Sequence, residues 1–202
     1  MSKSLEKFSN GIEDARNMLA IYDCHNSSEN AEIIKGLYKD KLPDIDVLKR
    51  FSFTLAFTAF ETYIEDLVRE IEQKQITPNS TEKNEKMLER FHNPNTENIR
   101  NLYKSWFCIE DVTCRWSFDG MNREQVCKKL DDYIRNRGEI VHRLKEDNVP
   151  DVAKRDNVVK CVNFLDKLAR CMDEYIASDE WVEDARKKRA EKAQGATNEQ
   201  DR

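Results

Sequence analysis

"DIDVLKRFSFTLAFTAFETYIEDLVREIEQKQ", residues 44–75, decides the fold class. Leu48, Phe51, Leu55, Thr58, Thr62, Leu67 and Ile71 return at intervals that mark successive helical turns. Its middle, "FSFTLAFTAF", is apolar or small on nearly every side. A helix of that kind is buried centrally, because no face of it prefers water. By pattern it is the best helix in the chain, so a long central helix is predicted.

The flanking sequence supplies its partners. "KSLEKFSNGIEDARNMLAIYDC" (3–24) sets Leu5, Phe8, Ile12, Ala15, Met18, Leu19 and Tyr22 at helical spacing, and Gly11 weakens its middle without breaking it. "HNSSEN" (25–30) reads as a loop, and "AEIIKGLYKD" (31–40) as a short helix ending before Pro43. Beyond the central helix, "TPNSTEKNE" (77–85) is a polar break and "EKMLERFH" (85–92) a short helix. Thr96 is positioned to cap "ENIRNLYKSWF" (97–107). "CIEDVTCRWSFDGMN" (108–122) has the composition of a short strand or ordered loop, and is read as a folded loop packed by Trp116.

"NREQVCKKLDDYIRNRGEIVHRLKE" (122–146) opens with Asn122 and, three residues on, Gln125, the pattern of a capping box. "DNVPDV" (147–152) is a turn, residues 158–189 form a long amphipathic helix, and 193–202 form a disordered tail. The expectation is one all-α domain over residues 1–192, a bundle of four to five main helices with a structured loop before the helix at 122–146. Five Gly and four Pro in 202 residues agree with few turns.

Charge narrows the function. A net charge of −5 excludes a globally basic nucleic-acid glove. Residues 98–145 nevertheless carry ten Lys/Arg against seven Asp/Glu, so a local basic surface is allowed. The six cysteines contain no C-x-x-C pair, and no zinc pattern or other metal cluster is expected. The chain has no run of 18 apolar residues and no leader-like opening, which predicts a cytoplasmic protein with reduced thiols and no membrane contact.

The chemistry gathers in "DDYIRNRGEIVHRLKE" (131–146). At about 100° per residue, Arg135 and His142 share a face to within roughly 20°, whereas Arg137 lies about 140° from His142. Gly138 thins the surface between them, and Glu139 is one turn back from His142. A histidine moves a proton to or from a hydroxyl, and an arginine holds phosphate in a fork. Together they suit attack by an RNA 2′-hydroxyl on its own phosphate, a reaction that needs no metal and no cofactor. The plainer reading is a solvated helix face.

"LDDYIRNRGEIVH" resembles the R-x4–6-H signature of HEPN-domain ribonucleases, and the order of three segments is similar to the RiboL-PSP branch of that superfamily. These segments are "FTAFETYIEDLV" (57–68), "NIRNLYKSWFCIEDVTCRWSFDG" (98–120) and the Arg–His helix. The resemblance implies an all-α domain that dimerises into a composite cleft. It also implies metal-independent endoribonuclease activity leaving a 2′,3′-cyclic phosphate, often in a toxin or effector of bacterial anti-phage defence. Carried over by position, Arg137 and His142 are the motif pair. Many members place a polar residue after the arginine, where this chain has Gly138; the frame Arg135–Asn136 restores it. Arg135, Asn136, Glu139 and Glu61 are therefore second-rank site residues, Glu61 as a carboxylate partner for a motif arginine. Implied partners are RNA, a second copy of the chain, and an antitoxin or ATPase. The alternatives are a non-catalytic HEPN module that binds a partner protein, RNA or a nucleotide, and a plain helical adaptor.

Trp106, Trp116 and Phe118 are read as packing residues, Cys108, Cys114 and Cys127 as small core residues, and His25 and His92 as exposed loop residues.

Overall fold

The computed structural model describes residues 1–37, 44–73, 82–142, 153–178 and 180–183, with the side chains of Ala31, Val141 and His142 outside that description. Among the described residues the protein is all-α. Its helices are α1 (Lys3–His25), α2 (Ser28–Leu37), α3 (Val47–Gln73), α4 (Glu82–Glu89), α5 (Thr96–Phe107), α6 (Arg123–His142) and α7 (Arg155–Ala177), with a 3-10 turn at Val112–Arg115. Five of these are long, as the sequence leads one to expect.

The helix α3 is the axis of the bundle. Phe53, Ala56, Phe57, Phe60, Ile64 and Val68 are fully buried along it. Helices α1 and α7 pack against α3 and against each other. The α1–α3 contact is close enough to need a glycine: a Cβ on Gly11 would lie 2.7 Å from the Cβ of Ala59. Gly11 therefore forfeits some helix propensity and permits the approach. Ser52 closes the same seam, its hydroxyl donating to the Ala15 carbonyl at 2.7 Å.

Several boundaries differ from expectation for local reasons. Residues 28–30 belong to α2, so the predicted loop at 25–30 shrinks to two residues. His25 is the last residue of α1, half-buried, with both ring nitrogens covered and unbonded; it is not an exposed loop residue. The polar run at 82–85 is helical, since Glu and Lys are good helix formers. Asn95, not Thr96, caps α5, its side chain accepting from the Asn98 N–H at 2.8 Å. Thr96 is instead bound to α6: its N–H donates to Asp131 and its hydroxyl to the Cys127 carbonyl. The helix α7 starts at Arg155 and caps at Ser178, so the predicted span 158–189 is interrupted; residues 180–183 are helical again. The expected turn at 147–152 and the tail at 193–202 lie outside the described residues.

The segment between α5 and α6 is a folded loop. Trp116 is fully buried, as is Trp106, and neither is available for base stacking. Asp119 and Gly120 both take positive φ (53° and 74°), an Asp-Gly reversal that leaves a single bridge between Phe118 and Met121. Lys167 of α7 holds Asp119 through both carboxylate oxygens at 2.6 Å. Asp111 joins three elements: it accepts from Arg100 of α5, Thr113 of the 3-10 turn and Arg123 of α6. Of the cysteines read as core, Cys127 is buried, Cys108 half-buried and Cys114 exposed.

Candidate functional site

The helix α6 positions the motif residues. Its start is fixed by the predicted capping box: the Gln125 N–H donates to the Asn122 side chain at 3.0 Å, and the Asn122 N–H to the Gln125 side chain at 2.9 Å. Val126, Cys127, Leu130 and Ile140 are buried and Tyr133 and Ile134 partly so. That stripe sets the helix rotation. Arg137 is four residues after Tyr133 and three after Ile134, so it falls on the inward face. Arg135 falls on the outward face, its side chain 69% exposed and 3.2 Å from Asp132 one turn back.

Arg137 reaches the central helix. Its Nη1 donates to Oε2 of Glu61 at 3.1 Å, with the two side chains 23% and 13% exposed. A carboxylate withdrawn this far from water requires a charged partner, and Arg137 supplies it. The second oxygen of Glu61 lies 3.8 Å from Nδ1 of His92, whose side chain is 78% exposed. His92 sits in the loop between α4 and α5, beside a cavity of about 320 Å³. Glu65, one turn further along α3, completes the group. Burial pushes its carboxyl above the ordinary 4.5, the nearby Glu61 charge adds to that rise, and His92 opposes it.

The chain thus brings Arg137, Glu61 and His92 together and leaves Arg135 apart. Asn136 and Glu139 are half-buried on α6. His142 is the last residue of α6, and its side chain lies outside the described residues. Among the described residues no group of three or more His, Cys, Asp or Glu is arranged to hold a metal ion. Likewise, no helix among them is long and apolar enough to cross a membrane.

His92 is an exposed loop residue, as the sequence leads one to expect, but its nearness to Glu61 is not readable there. It lies 31 residues from Glu61, in a short polar stretch with no periodicity, and only the tertiary fold joins the two. Arg137 was legible in principle, because its register with Leu130, Tyr133 and Ile134 places it inward.

Residues 25–178 match the family model described as RiboL-PSP-HEPN. The chain belongs to the RiboL-PSP-HEPN family. That match covers α2 to α7 entirely, including the Glu61 helix, the folded loop and the Arg–His helix. No curated protein and no solved structure matches the chain. Membership identifies a HEPN helical module.

Proposed function

We propose that this HEPN module is a metal-independent endoribonuclease in which Arg137 and His142 act on the scissile phosphate. The observation that supports it most is the Arg137–Glu61 contact at 3.1 Å, which removes rotamer freedom from the motif arginine. An arginine held by one nitrogen keeps its remaining N–H groups to donate to phosphate. In the reaction the 2′-hydroxyl oxygen bonds to phosphorus and the P–O5′ bond breaks. The 2′ proton passes to a base and the 5′ oxygen takes one up, leaving a 2′,3′-cyclic phosphate and a 5′-hydroxyl. His142 serves one of those proton transfers. A second copy of the chain, meeting the first along α6, would complete the cleft. The setting proposed is cytoplasmic, as a toxin or effector against phage, restrained by an antitoxin or triggered by an ATPase.

The test is RNA cleavage by wild type beside Arg137→Ala, Arg135→Ala and His142→Ala, with and without EDTA. Loss in Arg137→Ala and His142→Ala, near-normal activity in Arg135→Ala, and indifference to EDTA are expected. Full activity in His142→Ala would refute the assignment. One observation favours a second reading. Glu61 neutralises Arg137, as a purely structural tie in a non-catalytic binding module would. Growth arrest on over-expression separates the two: the nuclease arrests growth and its His142→Ala variant does not, whereas the binding module gives the same result with both.

A further inference from the structure

The cavity beside His92 is not explained by the motif pair. Its walls come from the end of α4, the loop that follows, and the outer face of α5: Arg90, His92, Asn93, Asn98 and Asn101, over Phe91. Its volume, about 320 Å³, falls within the range of small-ligand sites, at its lower end. The chemistry of the wall is specific. Arg90 and Asn101 are exposed and turned to the cavity, whereas Asn98 is spent on the loop, its amide donating to the Asn93 carbonyl at 2.8 Å. That bond, with the Asn95 cap, ties the loop to the start of α5. One wall therefore carries a cation and an imidazole, the groups that hold phosphate, and another carries side-chain amides, the groups that read a base edge.

Position adds to composition. His92 is both a wall of the cavity and the neighbour of Glu61 at 3.8 Å, and Glu61 holds Arg137 at 3.1 Å on its other oxygen. The cavity is thus one carboxylate away from the motif arginine. We propose that this cavity binds one nucleotide of the RNA, adjacent to the phosphate engaged by Arg137, with His92 and Arg90 on its phosphate and Asn93 and Asn101 on its base. The assignment rests on RNA being the ligand of the Arg137 site, and it would give the site a base preference at one position. It does not require that the chain cut RNA.

Nucleoside 3′-monophosphates of the four bases, which cannot be cleaved, are titrated into the full chain, with inorganic phosphate as the control. Binding is followed by calorimetry and by the amide resonances of residues 90–101. Nucleotides should bind more tightly than phosphate, with one base preferred. His92→Gln and Asn101→Asp should each weaken binding by about tenfold, the loss expected for a hydrogen bond to a charged group or for a misplaced charge. Both residues are exposed, so melting temperature should hold in each variant. Asn163→Asp, in the separate cavity between α1 and α7, should change nothing. Nucleotides that bind no better than phosphate, or as well to both variants as to wild type, would overturn the subsite. The two readings fail separately. Nucleotide binding here by a chain that never cuts RNA refutes the nuclease and keeps the subsite. RNA cleavage whose KM ignores both substitutions refutes the subsite and keeps the nuclease.

Discussion

Glu61 and Arg137 should be energetically coupled, and the size of the coupling follows from their surroundings. At 3.1 Å and an effective dielectric near 20, the gross attraction is on the order of 5 kcal/mol. Removing both side chains from most of their water offsets much of that. Exposed pairs retain about 0.2–1 kcal/mol, and breaking a fully buried pair from one side costs about 3–5 kcal/mol. With side chains 13% and 23% exposed, this pair lies between those limits. A coupling of about 1.5 kcal/mol is expected. Glu61→Gln, Arg137→Met and the double variant form the cycle, read by urea unfolding at neutral pH. Each single change should destabilise by about 1–2 kcal/mol, and the double change by less than their sum. The same variants carry a functional readout. Glu61→Gln keeps the shape of the site but loosens the arginine, so the RNA cleavage proposed above should fall about tenfold in kcat. A coupling within about 0.5 kcal/mol of zero would refute the claim that Glu61 fixes Arg137.

Gly11→Ala should destabilise the fold by about 1–3 kcal/mol despite the better helix propensity of alanine, because the new methyl meets Ala59 at 2.7 Å; thermal melting checks it, and a stabilised variant would show that α1 and α3 can separate freely. Asn122→Ala should cost about 1 kcal/mol in denaturant unfolding by leaving the start of α6 uncapped, with Asn122→Asp close to wild type. Acid should weaken the protein through carboxylates held below their ordinary values: Asp23 by its bond to Arg155, Glu85 by its bond to Arg69, and Asp111, where burial acts upward but the Thr113 and Arg100 contacts prevail. Their contribution is complete above the unfolded values of 3.8 and 4.5 and is lost as pH falls through the lower folded ones, so urea midpoints should drop below about pH 4 and drop less in Asp23→Asn.

What the sequence made legible was set by how local each determinant is. The capping box at Asn122 and Gln125 involves residues three apart and needs nothing else, so it forms as read. The central helix was legible as a helix but not in its facing: Phe51, Thr58 and Thr62 turn to solvent, Phe51 60% exposed, while Lys49 and Ser52 are buried, because the seams with α1 and α7 and not apolar content alone choose the inward face. The Asn95 cap is offset by one residue from the expected Thr96, a weaker capping type than Asn. The Thr96 hydroxyl, the group a cap would use, is turned instead to the Cys127 carbonyl of α6, 31 residues away. Gly11 looks like a weakness in the sequence because its use, the approach of Ala59, exists only once α1 meets α3.

The two arginines show the same division. Measured from His142, helical angle alone favours Arg135; measured from the buried stripe of Val126, Leu130, Tyr133 and Ile134, it turns Arg137 inward and Arg135 to water. The stripe is the stronger reference, because burial of several side chains fixes a helix rotation more firmly than any single polar residue can. Arg137 therefore belongs with α3 and Glu61, and through Glu61 with His92. The segment carrying His92 shows no periodicity and no motif, yet its side chain reaches the same carboxylate as the motif arginine. Of the residues gathered from α3, the α4–α5 loop and α6, Arg137 lies on a recognisable pattern and Glu61 is legible as a carboxylate partner for such an arginine, whereas the nearness of His92 to them exists only after the bundle closes.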